Sequence, residues 1–156
     1  MQLYMNKVTK QFRNTLREFE REIGFQNNNC CNTGISMVQC HLLLDIEQNP
    51  ETSIKEIAER QNLDKSTISR TVDGLLNIGL INREPNPESR RQTLISLNNN
   101  GKNACCNINN INDSFFGDVF NSLSDEEVNC FNKVFRKVTD KMTEIRLSNE
   151  DETCCS

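Results

Sequence analysis

Apolar positions recur along this chain with two periods, and the switches between them lay out its elements. Met5, Val8, Phe12, Leu16, Phe19 and Ile23 return every three or four residues, the spacing of a helix with one apolar stripe. They predict a helix over residues 3–24, closed by Gly24. An asparagine-rich stretch, 26–34, reads as a loop. Ser36 followed by Gln39 has the form of a capping box and opens a second helix to about Glu47, closed by Asn49-Pro50. Ser53 with Glu56 repeats the signature and starts a short helix with Ile54, Ile57 and Ala58 inward. Asp64 with Thr67 starts another, with Ile68, Val72, Leu75 and Leu76 inward. Only "RQNL" separates the two, so together they predict a helix-turn-helix.

The period then drops to two. Leu80 and Ile81 begin a short strand that Pro85 and Pro87 are expected to break, and Thr93, Ile95 and Leu97 alternate as its return. This is a β-hairpin with a charged tip. After "NNNGK" the helical period resumes at Ala104, Ile108, Ile111, Phe115 and Val119. Ser124 and Glu127 cap a last helix whose face is Val128, Phe131, Phe135, Val138, Met142 and Ile145. The polar end "SNEDETCCS" predicts a disordered tail over 148–156. The expected class is mainly α: a winged helix-turn-helix over 35–101 with a small hairpin wing, and N- and C-terminal helical regions, 1–34 and 102–147. The stripes of the first and last helices are too large to leave in water and call for a second copy of the chain.

The run "LDKSTISRTVDGLLNIGLINREPNPESRR", together with "ISMVQCHLLLDI" and "NGK", resembles the MarR family of winged-helix transcription regulators. The resemblance covers most of the chain and is strongest from Ile35 to Gly101. One departure is Ser89, where the family has an acidic residue before the wing arginine. The resemblance implies a homodimer held by the terminal helices and bound to pseudo-palindromic double-stranded DNA, often as a repressor released by a ligand or an oxidant.

The residues themselves agree with a DNA reader. Lys65, Ser66, Thr67, Ser69 and Arg70 occupy early, outward positions of the second helix of the helix-turn-helix, the part of such a motif that enters the major groove. Short hydroxyl side chains can approach base edges, and arginine can pair bidentately with guanine. Arg83, Arg90 and Arg91 on the hairpin suit phosphates or the minor groove. The formal charge of −4 excludes indiscriminate coating of nucleic acid but leaves room for a local basic element, because charge acts over about 10 Å at ordinary salt. A solvated helix face, or a winged helix that binds only protein, is the alternative use of the same residues.

Composition narrows the remaining classes. The 156 residues, 35% hydrophobic, amount to one domain or one domain with an appended element. No apolar run reaches the ~18 residues of a membrane span, and the first residues lack an apolar secretory core. The expected location is the cytoplasm, with no membrane partner. No phosphate-cradling glycine loop or catalytic carboxylate pair occurs. Cys40 and the single histidine, His41, are neighbours on a helix and diverge by about 100°, so no enzyme is expected.

Eight cysteines in a cytosolic chain point away from disulfides and towards metal or redox chemistry. "CCNTGISMVQCH" sets Cys30 and Cys31 ten residues before Cys40 and His41. A trigonal thiolate site from Cys30, Cys31 and Cys40 would suit a soft ion such as trivalent arsenic or copper(I), with Cys105 and Cys106 as auxiliary ligands. Zinc, which favours two spaced cysteine knuckles, fits less well. No cofactor is required in this reading. An oxidant-sensing thiol, a small organic effector with structural cysteines, and plain core packing for Cys40 are the alternatives.

Overall fold

In a computed structural model the chain forms two compact units, residues 1–112 and 113–156. The structure describes residues 2–30, 34–87 and 89–153; the side chains of 2, 3, 26–30, 90, 91 and 150–153 are outside that description.

The first unit holds α1 (Gln2–Cys30), α2 (Met37–Gln48), β1 (Thr52–Ser53), α3 (Ile54–Gln61), α4 (Lys65–Asn77), β2 (Ile81–Asn86), β3 (Ser89–Leu97) and the first half of α5 (Asn99–Phe120). Its core is what the helical and strand periods predict. Leu42, Leu43, Ile46, Ile57, Ile68, Val72, Leu75 and Ile95 are fully shielded from water. Cys40, Cys105 and Ile108 join the same cluster, so the beginning of α5 completes the core of the winged module. The second unit holds the rest of α5 and α6 (Asp125–Thr153). Within it, edge and stacked contacts run from Phe115 through Phe116, Phe120 and Phe131 to Phe135, with ring centroids 5.2–6.4 Å apart.

Three helix starts are fixed as their sequences specify. Ser36 with Gln39 and Ser53 with Glu56 form reciprocal capping boxes. At α6, Ser124 N–H donates to Glu127 Oε2 at 2.9 Å while Glu127 N–H donates back to Ser124 Oγ. These bonds satisfy amides that a helix start otherwise leaves unpaired. They hold Glu56 and Glu127 below the usual carboxylate range, mainly through the backbone amides of Ser53 and Ser124.

Four expectations are corrected. Gly24 does not end the first helix, which continues to Cys30 and takes in part of the expected 26–34 loop; one glycine costs only about 1 kcal/mol inside a helix. Pro85 does not break β2: the strand reaches Asn86, with a register shift between Pro85 and Asn86, and ends before Pro87. The sheet order is β1-β3-β2, so β2 is an edge strand, where a residue without an N–H is tolerated. The hairpin is not alone, because Thr52 and Ser53 pair with Ile95 and Leu94 as a third strand. Lastly, α6 is helical to Thr153, six residues into the expected tail, whose last three residues lie outside the described ones.

The wing is anchored at its base. Asn98 Nδ2 donates to the Gly79 carbonyl at 2.9 Å, and Gly101 N–H donates to Asn98 Oδ1 at 3.0 Å. A Cβ on Gly101 would stand 2.1 Å from the Leu80 carbonyl oxygen. Only glycine lets α5 start this close to β2. Among the described residues no helix is long and apolar enough to cross a membrane.

Candidate nucleic-acid interface

The helix-turn-helix is α3, a turn over Asn62–Asp64, and α4. Asn62 adopts the left-handed conformation (φ 51°) and its N–H reaches the carbonyls of Ala58 and Glu59. Asparagine tolerates that conformation better than most residues. The motif is pinned from behind by Arg60. Its guanidinium donates to both oxygens of Asp45 on α2, the shortest contact being 2.6 Å, and to Thr52 Oγ1 on β1 at 2.9 Å. The pair is largely sheltered, with Asp45 only 11% exposed. The hydrogen bond to Asp45 raises the Arg60 pKa further.

The front of the motif is the first turn of α4. Asp64 is its N-cap and accepts Thr67 N–H at 2.8 Å. The same carboxylate accepts the Thr67 hydroxyl at 2.6 Å and the Ser66 hydroxyl. These bonds, led by those from the Ser66 and Thr67 hydroxyls, hold Asp64 far below the usual carboxylate range. Asp64, Lys65, Ser66 and Arg70 are exposed, Thr67 and Ser69 half-buried, and Ile68 and Val72 seal the other face into the core.

On the wing, Arg83 is exposed but engaged. It donates to Thr93 Oγ1 at 3.3 Å and meets Asp73 of α4 at 3.4 Å, tying the wing to α4. Arg90 and Arg91 lie on β3, where the strand returns from the tip; their side chains lie outside the described residues. Sequence reading found Asp64 as a helix start but not as the partner of the Ser66 and Thr67 hydroxyls, and it missed Asp73 beside Arg83. Asp64 was legible as a cap, and its spacing to Ser66 and Thr67 could have shown the rest. Asp73 and Arg83 lie on different elements, and no local pattern joins them.

Among the described residues, Cys40 and Cys105 share one core cluster. Cys40 is 7% exposed and Cys105 is fully buried. Burial first, and then the Glu47 carboxylate, push the Cys105 thiol up to about 11, the opposite of what an ion-binding or sensing thiolate needs. The start of α2 turns Cys40 into the core and presents Met37 and Val38, both exposed. Cys106 and Cys130 are exposed. Among the described residues no three Cys, His, Asp or Glu side chains are placed to hold a metal ion. Cys31 and the side chain of Cys30 are outside that set. His41 is exposed and turned away from buried Cys40, as their adjacency on a helix requires.

Residues 35–93 match the family model described as "MarR family". Over 60 residues the chain is 38% identical to the uncharacterized protein MJ1503 of Methanocaldococcus jannaschii, covering 38% of this chain and 46% of that protein. The chain thus spans less than half the length of that relative. It is 26% identical over 112 residues to the HTH-type transcriptional regulator YdgJ of Bacillus subtilis, across 72% of this chain and 67% of that one. The solved structure of Streptococcus pneumoniae FabT in complex with DNA superposes with a TM-score of 0.80 at 14% identity, covering 87% of this chain and 98% of FabT. That likeness is one of fold.

Proposed function

We propose that this chain, a MarR family protein over residues 35–93, is a transcriptional regulator that binds pseudo-palindromic DNA as a homodimer, with repression as its mode. The observation that carries the reading is the exposed first turn of α4. There Lys65, Ser66 and Arg70 face solvent on a helix whose back is fixed by the core and whose partner helix is pinned by Arg60. The second helix of such a motif meets the major groove through its N-terminal part. The wing carries arginines at 83, 90 and 91 for the adjacent backbone. That the DNA-bound FabT shares this fold supports the placement.

The second copy follows from exposed apolar surface. Val8, Phe12 and Phe19 on α1, and Phe131, Phe135, Met142 and Ile145 on α6, are each about 40% exposed or more in the single chain. Stripes of this kind are covered in a stable protein. A dimer also supplies the two recognition helices that a palindrome needs.

Two effector routes are open to the regulator. The better supported is a small organic ligand. A cleft of about 310 Å³ opens between the residues leading into α2 (Gly34, Ile35), the α4–β2 connection (Ile78, Leu80) and the first turns of α5 (Asn100, Asn103, Ala104, Asn107). An occupant there would press on the Leu80–Gly101 anchor of the wing. The other is a soft ion on Cys30, Cys31 and Cys40, for which Cys40 would have to leave the core. The test is a DNA-binding titration of the reduced chain with arsenite, copper(I), zinc, hydroperoxide and a panel of aromatic acids. Release by arsenite or copper(I) that is lost in Cys30→Ser and Cys31→Ser identifies the ion route, and release by an organic acid in the same variants identifies the cleft.

A further inference from the structure

The Asp64 carboxylate does more than cap α4. A carboxylate can only accept hydrogen bonds, and a hydroxyl has one hydrogen to give and two lone pairs. Ser66 and Thr67 both direct their hydroxyls at Asp64, so each has spent its hydrogen inside the protein. What remains on the exposed side of this turn is a patch of acceptors: the outer lone pairs of two hydroxyls and of the carboxylate itself. Asp64 and Ser66 are exposed, with Thr67 half-buried beside them. The major groove offers such a patch two kinds of donor, the N6 amine of adenine and the N4 amine of cytosine. Guanine shows O6 and N7 and thymine shows O4, all of them acceptors that would face acceptors here. One turn further along the same face, Arg70 presents only donors and suits guanine.

We propose that Asp64 is a specificity-determining residue: by holding the hydroxyl hydrogens of Ser66 and Thr67, it restricts the bases read by the first turn of α4 to those with an exocyclic amine in the major groove, adenine or cytosine. The inference rests on the DNA-reading function above and adds the class of base. Lys65, exposed in the same turn, offsets the repulsion between Asp64 and nearby phosphates.

The experiment is selection from randomised duplex DNA by the full chain, repeated with Ser66→Ala, Thr67→Val and Asp64→Asn. Positions whose preference changes in the first two variants are those read by the hydroxyls. Each base pair there holds one adenine or cytosine, whose major-groove amine is the group the hydroxyls should read. Replacing that base by its deaminated analogue, purine for adenine or 2-pyrimidinone for cytosine, should weaken binding about fivefold or more. Asparagine caps helices as well as aspartate, but its amide nitrogen would donate to one hydroxyl and free that hydrogen. Asp64→Asn should therefore invert the preferred base pair at the position that hydroxyl reads. Two results overturn the inference while leaving the function intact: indifference to loss of the amine, or no position that responds to the hydroxyl variants. If no sequence is enriched at all, the DNA-reading function fails, and the inference with it. The amine-deletion arm needs no protein variant, so misfolding cannot hide the answer.

Discussion

Single residues set the most local expectations. Gly101 has the least freedom of any glycine in the chain, because a Cβ there would meet the Leu80 carbonyl oxygen at 2.1 Å, and backbone cannot swing aside as a side-chain tip can. Gly101→Ala should destabilise the fold by about 1–3 kcal/mol, read from the midpoint of urea unfolding, whereas Gly117→Ala, with open space around it, should gain up to about 1 kcal/mol as a helix substitution, the propensity difference. Arg70→Ala should weaken specific DNA binding by roughly 1–3 kcal/mol and relax preference at one base position. Binding titrations on matched and single-mismatch duplexes would show whether the loss is base-specific.

At the scale of elements, the helix starts depend on ionised carboxylates. Asp64, Glu56 and Glu127 are all held below their ordinary values of 3.8, 4.5 and 4.5. A carboxylate with a depressed pKa in the folded state adds stability above its unfolded pKa and loses it as pH falls through the folded one. Unfolding free energy should therefore drop as pH is lowered below about 4.5, and the Asp64→Asn variant should show a smaller drop than the unaltered chain. Thermal unfolding from pH 6 downward tests the sign. Cys105 works in the alkaline direction: its thiol stays neutral to about 11 in the fold, so alkylation at moderate pH should label Cys106 and Cys130, both exposed, well before Cys105.

These elements were largely readable in advance because their signals are local. A serine with an acceptor three residues on marks a helix start wherever it occurs, and the apolar period identified Ile57, Ile68, Val72 and Leu75 as core before any contact was known. What escaped has non-local causes. A two-residue strand such as β1 has no period, and its existence depends on Ile95 and Leu94 lying beside it. The end of α1 was misplaced because glycine is a weak stop when the flanking residues continue the helix. Pro85 signals a break only until the sheet order shows β2 at the edge. Sequence spacing does not report burial, and it gave no sign that Cys40 and Cys105 pack into one core.

At the scale of the whole molecule, two requirements converge on a pair of chains. The exposed stripes on α1 and α6 need cover, and a palindrome needs two recognition helices in fixed relation. Light scattering at micromolar concentration should give twice the mass of 17.9 kDa. Phe131→Glu with Phe135→Glu, on the stacked pair of α6, should shift the protein towards monomer and lower DNA affinity together; dimer loss without any loss of DNA affinity would separate the two requirements.

The central claim is that the α4 surface reads DNA. It is tested most directly by equilibrium binding of the full chain to a duplex recovered by selection and to a shuffled duplex of the same composition, over a range of salt. The account predicts binding to the selected duplex at least about a thousandfold tighter, with log affinity falling linearly with log salt concentration. Arg70→Ala should narrow the gap between the two duplexes. Equal affinity for both duplexes, or affinity indifferent to salt, would contradict it.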